Sequence, residues 1–197
     1  MINIFKIAEQ TNKTRVPAER YLQEEQPEKL RNTPAEIDSA TITDIIRDHN
    51  FYHKKFNPDC KRTLHTYKEM KLHKCKVVVD NQTKLMWQKE TSKKWMNYPN
   101  AEKWIGDLNE KHWAGFTDWR MPTVEEALSL LQPGIYGNRT IINFINPVFD
   151  FVTWTIWTSD LNQNDASQAF IIDYGEGSLS AHNFTSTFFV RAVRNFE

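Results

Sequence analysis

A chain of 197 residues, 40% of them hydrophobic and 25% charged, has the composition of a globular protein long enough to enclose its own core. Its 25 Lys and Arg balance 25 Asp and Glu, so no whole-molecule field draws polyanions towards it, and nucleic acid is not an expected partner. No apolar run is long enough to span a bilayer, and two cysteines are too few for a disulfide framework.

The chain opens Met1-Ile-Asn-Ile-Phe-Lys6, where Asn3 and Lys6 interrupt the apolar residues before a secretory h-region can form. For the chain as given this favours the cytoplasm and leaves localisation otherwise open. Residues 1 to about 40 are rich in charge and carry Pro17, Pro27 and Pro34. They read as a helical arm packed on the body, with Ala18–Glu25 as one helical piece stopped by Pro27. Thr41-Ile-Thr-Asp44 has the spacing of a capping box and predicts a short helix to about His49, with Ile42, Ile45 and Ile46 on one face. Phe51, Tyr52 and Phe56 follow as anchors.

The next stretch is basic. Lys54, Lys55, Lys61, Arg62, Lys68, Lys71, Lys74 and Lys76 face only Asp59 and Glu69, and aromatic residues are interleaved. This pattern defines a candidate polyanion patch. The alternative, which is favoured, is a solvated face balancing the acidic arm residues Glu19, Glu24, Glu25, Glu28 and Glu36; the C-terminal part also runs acidic, with Glu125, Glu126, Asp150, Asp160, Asp165, Asp173 and Glu176. His49, His53, Cys60, His65, His73 and Cys75 fall in the same region, but paired CxxC spacing is absent. No metal is expected. Reduced cysteines are expected, with a Cys60–Cys75 disulfide as the alternative.

Cys75–Asp80 reads as a strand, Asp80-Asn-Gln-Thr83 as a turn and Lys84–Gln88 as a second strand. A helix follows Pro99-Asn100, with Ala101, Trp104, Ile105 and Leu108 as its apolar stripe. Thr123 and Glu126 form a capping box opening a helix that contains Leu128, Leu130 and Leu131 and stops at Pro133-Gly134. Strands are predicted at Val152–Thr158, Ala169–Tyr174 and Phe188–Val193, with a turn at Gly175-Glu-Gly177. All seven tryptophans and all six glycines lie after residue 86. Two helices followed by a run of strands predict an α+β fold with a mainly antiparallel sheet. The expected division is an arm and leader over 1–74 and a body over 75–197.

Four segments in order carry a family resemblance: Val78-Val-Asp-Asn-Gln-Thr-Lys-Leu-Met-Trp-Gln88, Ala114-Gly-Phe-Thr-Asp-Trp-Arg-Met-Pro-Thr-Val-Glu-Glu126, Trp157-Thr-Ser-Asp160 and Val190-Arg-Ala-Val-Arg194. Together they resemble the family named after the C-terminal domain of Legionella collagen-like protein. The resemblance implies a C-type-lectin-like fold in which the terminal strands pair and long loops present a variable surface. The family's named member is an adhesin that binds sulfated glycosaminoglycans and forms trimers, so a trimer is an expectation by analogy alone. Lys84 departs from the pattern, because the family usually has glycine there and lysine tolerates a positive φ less well.

Within these motifs Trp87, Asp118, Trp119, Arg120, Thr123, Glu126 and Arg191 read as structural. Trp119 is expected in the core, and Arg120 beside a carboxylate or carbonyls. Arg191 and Arg194 stand on opposite faces of a regular strand, so at most one serves the core.

The segment from Ser159 to Thr187 is rich in amides and hydroxyls and lies beside aromatic residues, a pairing suited to sugar or protein recognition. Candidate ligand-binding residues are Trp157, Asp160, Asn162, Asn164, Asp165, Tyr174, His182 and Asn183. The Glu-Pro-Asn, Gln-Pro-Asp and Trp-Asn-Asp triplets of calcium-dependent lectins are absent, so no calcium requirement and no cofactor are expected. Phosphate-binding glycine loops, nucleophile elbows and HExxH are also absent. Formylglycine-generating enzymes share the general fold, but their cysteines lie in the C-terminal core, unlike Cys60 and Cys75. The expectation is a non-enzymatic recognition domain that binds an unknown glycan or protein through loops of its C-terminal half. The alternatives are a cytoplasmic accessory or regulatory module, and polyanion binding by residues 54–76.

Overall fold

The computed structural model describes residues 27–134, 143–150 and 154–196. Two four-stranded sheets form the frame. One runs in the order β1 (Glu36–Ile37), β5 (Thr155–Asn162), β6 (Gln168–Asp173), β7 (Ser178–Asn183). The other runs β2 (Tyr67–Leu72), β3 (Cys75–Asp80), β4 (Leu85–Gln88), β8 (Val193–Asn195). Every pairing is antiparallel except β1 with β5. Among the described residues the helices are α1 (Ser39–Asp48), α2 (Tyr98–Glu110) and α3 (Val124–Ser129), with a 3-10 turn at Trp113–Gly115. The architecture is α+β, as expected, and no helix among the described residues is long and apolar enough to cross a membrane.

The valine run of β3 shows how the layers meet. Val77, Val78 and Val79 are all buried, because β-branched side chains alternate across a sheet that is covered on both faces. Val78 joins Trp87, Ile46 of α1 and Leu128 of α3 in the largest core cluster. Val77 and Val79 point the other way, to Met86, Leu108 of α2 and Trp119. A third cluster gathers Tyr98, Trp157, Ile171 and Val190. Trp119 is therefore core, as expected.

The capping box of α3 is reciprocal: the Glu126 amide donates to Thr123 Oγ1 at 3.2 Å, and the Thr123 amide donates to Glu126 Oε2 at 3.0 Å. The helix is short, however, and Leu130 and Leu131 are buried beyond its last residue. At α1 the cap lies one turn earlier than expected. Asp38 is the N-cap, and its carboxylate accepts from the Thr41 amide at 2.8 Å. Thr41 thus sits inside the first turn, and Asp44 pairs with Arg47 instead of capping.

Of the expected strand Val152–Thr158, Val152 and Thr153 lie outside the described residues, and the described strand Thr155–Asn162 ends four residues past the expected end. Ala169–Tyr174 appears at Gln168–Asp173. Phe188–Val193 is extended and is tied by Met96–Phe188 and Ile156–Phe189 bridges and by bonds from the Ser92 and Gln88 amides, while the ladder with β4 begins at Val193. Strands β1, β2 and β7 were not anticipated, and the Ala18–Glu25 helical piece lies outside the described residues. The expected 74/75 division falls in the β2–β3 hairpin. Its two-residue turn, His73-Lys74, has φ of 45° and 69°, the left-handed pair of a type I′ turn. The leader therefore contributes a strand to each sheet and α1 to the main core.

Candidate functional site

The expected ligand residue Asp160 is the centre of a buried clasp. Its carboxylate receives both guanidinium nitrogens of Arg31 at 2.7 Å, the Ala35 amide at 2.8 Å and the Val124 amide at 2.7 Å. Four donors on one fully buried carboxylate bind the leader to β5 and to the start of α3. It is unavailable to a ligand, which corrects the sequence reading.

A second set of charges continues the clasp. His49 lies between Glu28 Oε1, 3.1 Å from Nδ1, and Glu125 Oε1, 3.4 Å from Nε2. Hydrogen bonds to Glu125 and Glu28 push its imidazole up to about 9. Burial opposes a charge on Glu28, but His49, His65 and Arg62 together hold its carboxyl down at about 2. His65 Nδ1 meets Asp80 Oδ2 at 2.6 Å; burial opposes its proton, yet Asp80 and Glu28 raise its affinity for it. Arg62, expected in an open basic patch, instead contacts Glu28 and covers the ring of Phe51 at 4.6 Å.

His53 and the two cysteines have local partners. His53 follows His49 by four residues, but α1 ends at Asp48, and the His53 Nδ1 accepts from the Lys55 and Phe56 amides at 3.2 Å. Cys60 and Cys75 are both free thiols. No group of three or more metal-capable side chains is found among the described residues.

Two aromatic candidates also prove structural. Trp157 is fully buried and donates Nε1–H to the Met96 carbonyl at 2.9 Å; Tyr174 is 1% exposed and donates to the Ala127 carbonyl at 3.0 Å. Each ring has the polar partner that a buried Trp or Tyr needs. Arg120 makes a two-pronged contact with Glu126, 2.6 Å on each arm, and Arg191 is buried with its Nη1 on the Gln88 carbonyl at 2.7 Å. Arg194 stacks on Phe116 at 3.9 Å and pairs with Asp118 at 2.7 Å.

Of the polar candidates, Asn164, Asp165 and Asn183 are exposed at one end of the β5–β6–β7 sheet. Asn162 Nδ2 donates to Gln168 Oε1 at 2.9 Å, Asp165 accepts from the Ser167 amide at 3.0 Å and Asn183 Nδ2 donates to Ser167 Oγ at 3.2 Å. His182 packs on Phe188, with ring centroids 4.8 Å apart, and meets Ser180 Oγ at 2.9 Å. Much of the segment read as loops is thus hairpin sheet. In the basic stretch Lys61, Lys68 and Lys71 are exposed, Lys54 pairs with Glu176 at 3.0 Å and Lys55 lies over Phe56 at 5.2 Å. Glu69 and Glu90 sit among them, paired with Lys89 and Lys76.

The feature that sequence reasoning missed is a groove of about 650 Å³ beside that polar end. It is lined by residues 34–36 of the leader, by Tyr98, Glu102 and Ile105 of α2, by Arg120 and Met121 before α3, by Ser159 and Leu161 of β5, and by Phe184. Tyr98 and Phe184 are stacked at 4.8 Å, and the Tyr98 hydroxyl donates to the Ser159 carbonyl at 3.3 Å. Burial pushes the Tyr98 phenol upward, so it stays protonated. Its traces in the sequence were scattered: Ile105 in the α2 stripe, Arg120 in a motif read as structural, and Ser159, Leu161 and Phe184 within the polar segment from Ser159 to Thr187.

The frame and its inventory describe an α+β domain whose charged motif residues mostly hold it together and whose open apolar groove is joined to a polar turn. The family model for the Lcl C-terminal domain matches residues 76–194, and the chain belongs to that family. No curated protein matches the chain.

Proposed function

We propose that this chain is a non-enzymatic recognition domain of C-type-lectin-like architecture, and that it binds a glycan or a protein segment in the groove beside Tyr98, Leu161 and Phe184. The observation that carries this reading is the groove itself: its volume of about 650 Å³ lies in the range of ligand sites, and its mostly apolar lining with a few polar groups has their usual composition. Asn162 and Asn183, the last residues of β5 and β7, and Asn164 and Asp165 in the turn beyond β5 adjoin Phe184, whose amide donates to the Ser167 carbonyl at 2.9 Å. They supply adaptable hydrogen-bonding groups at its end. His49, Glu28 and Glu125, whose proton affinities are displaced, bind one another in the clasp, and Tyr98, the displaced group lining the groove, is kept protonated by burial, which favours binding over acid–base chemistry there.

Glycan arrays and pull-downs with the whole chain provide the test. Phe184→Ala and Leu161→Asp should abolish a hit that Lys68→Ala and Lys71→Ala leave intact. A hit lost only with the lysine variants would transfer the activity to the basic segment and end this reading.

A further inference from the structure

The charges around the groove are unevenly compensated. Three charged side chains line it: Glu36, Glu102 and Arg120. The charge of Arg120 is matched by Glu126, both of whose oxygens accept from it at 2.6 Å, and its Nη2 also donates to Asn195 Oδ1 at 3.2 Å. Glu36 and Glu102 are exposed, come from different elements (β1 and α2), and make no hydrogen bond or ion pair among the described residues. The uncompensated charge on an otherwise apolar lining is therefore negative. Low-dielectric walls strengthen such a field. A sulfate, phosphate or carboxylate would be repelled, whereas an ammonium or guanidinium would gain charge-assisted hydrogen bonds.

Two further features indicate the shape of the occupant. Ile105, Met121, Leu161 and Phe184 offer apolar contacts within the same groove as the two carboxylates, so the ligand must carry apolar groups as well as cations. Strand β1, whose Glu36 lines the groove, is the outer strand of its sheet and pairs only with β5 among the described residues. An outer strand can pair with an extended chain. We propose that the groove takes an extended peptide segment in which basic and apolar side chains alternate. This rests on the groove being the recognition site.

The test uses the whole chain carrying 13C-methyl methionine. Met121 lines the groove, while Met70, Met86 and Met96 lie elsewhere and report on the rest of the fold. The probes are three blocked octapeptides that alternate Leu with Lys, Leu with Ser or Leu with Glu, together with a set of neutral oligosaccharides. The Leu/Lys peptide is expected to shift the Met121 methyl with a Kd about tenfold or more below that of the Leu/Ser peptide, and the Leu/Glu peptide to leave it unmoved. Glu36→Gln with Glu102→Gln should reduce Leu/Lys binding to the Leu/Ser level with the other methyl signals in place. Equal binding of Leu/Ser or an oligosaccharide, or no loss in the double variant, would overturn the cationic-peptide inference and leave the groove as the site. No shift of Met121 with any probe would overturn both.

Discussion

Lys84 has a backbone φ of 55°, in the left-handed region where the family's usual glycine carries no penalty. Its amide closes the turn on the Asp80 carbonyl at 3.0 Å, and its own carbonyl accepts from Phe196 at 2.8 Å, so the conformation is fixed from both sides. Lys84→Gly should stabilise the protein by about 1 kcal/mol, read as a higher urea midpoint at unchanged slope. Arg191 shows the opposite case, a costly group held by its partners. Burial pulls its guanidinium down to about 10, and the side chain spans the Gln88 and Lys89 carbonyls above the Phe149 ring. Arg191→Met would remove the guanidinium donor from both carbonyls, leaving Lys89 only its bond from the Asp150 amide, and the expected loss is roughly 3 kcal/mol by the same measurement.

Elements are joined here by charges far apart in sequence. Arg31 and Asp160 are 129 residues apart, and Asp160 also receives the first amide of α3. Asp160→Asn should cost about 3 kcal/mol and speed hydrogen exchange selectively in residues 31–37 and the first turn of α3. The His49 and Glu28 part of the clasp sets a pH window. His49 is raised from 6.5 to about 9, so its contribution is complete below 6.5 and is lost as pH rises through 9. Glu28 is lowered from 4.5 to about 2, so its contribution is present above 4.5 and is lost as pH falls through 2. Melting temperature should therefore decline on the alkaline side between those His49 values, and His49→Gln should flatten that decline. An unchanged alkaline slope in the variant would show that the imidazole does not hold the leader.

At the scale of the whole molecule the family-matched segment 76–194 shares its main core with the residues before it. Strand β2, α1 and β1 cover Val78, Leu128 and Ile156 in one cluster. A fragment of residues 75–197 is expected to melt without cooperativity and to bind an apolar dye that the full chain excludes. Much of the frame was legible, because its signals are local: the β-branched run of β3, the Thr123/Glu126 pair and the stripe of α2. Strand β7 was not, since Ser178-Leu-Ser-Ala-His-Asn183 lacks the β-branched and aromatic residues that mark a strand, and pairing with β6 overrides that propensity. Trp157 and Asp160 were misplaced because their polar neighbours suggested a surface, whereas β5 is buried from Ile156 to Asp160. The groove was invisible because its lining comes from five separate stretches that only the tertiary fold unites.

The Arg31–Asp160 lock also has a mechanical consequence. Tension entering through the leader reaches the middle of the molecule at a fully buried anion before it can peel the two-residue β1 from β5. The anchor is loaded along with the start of α3, so yielding there should release several elements in one step, and the fold should resist pulling from that side until it gives way at once.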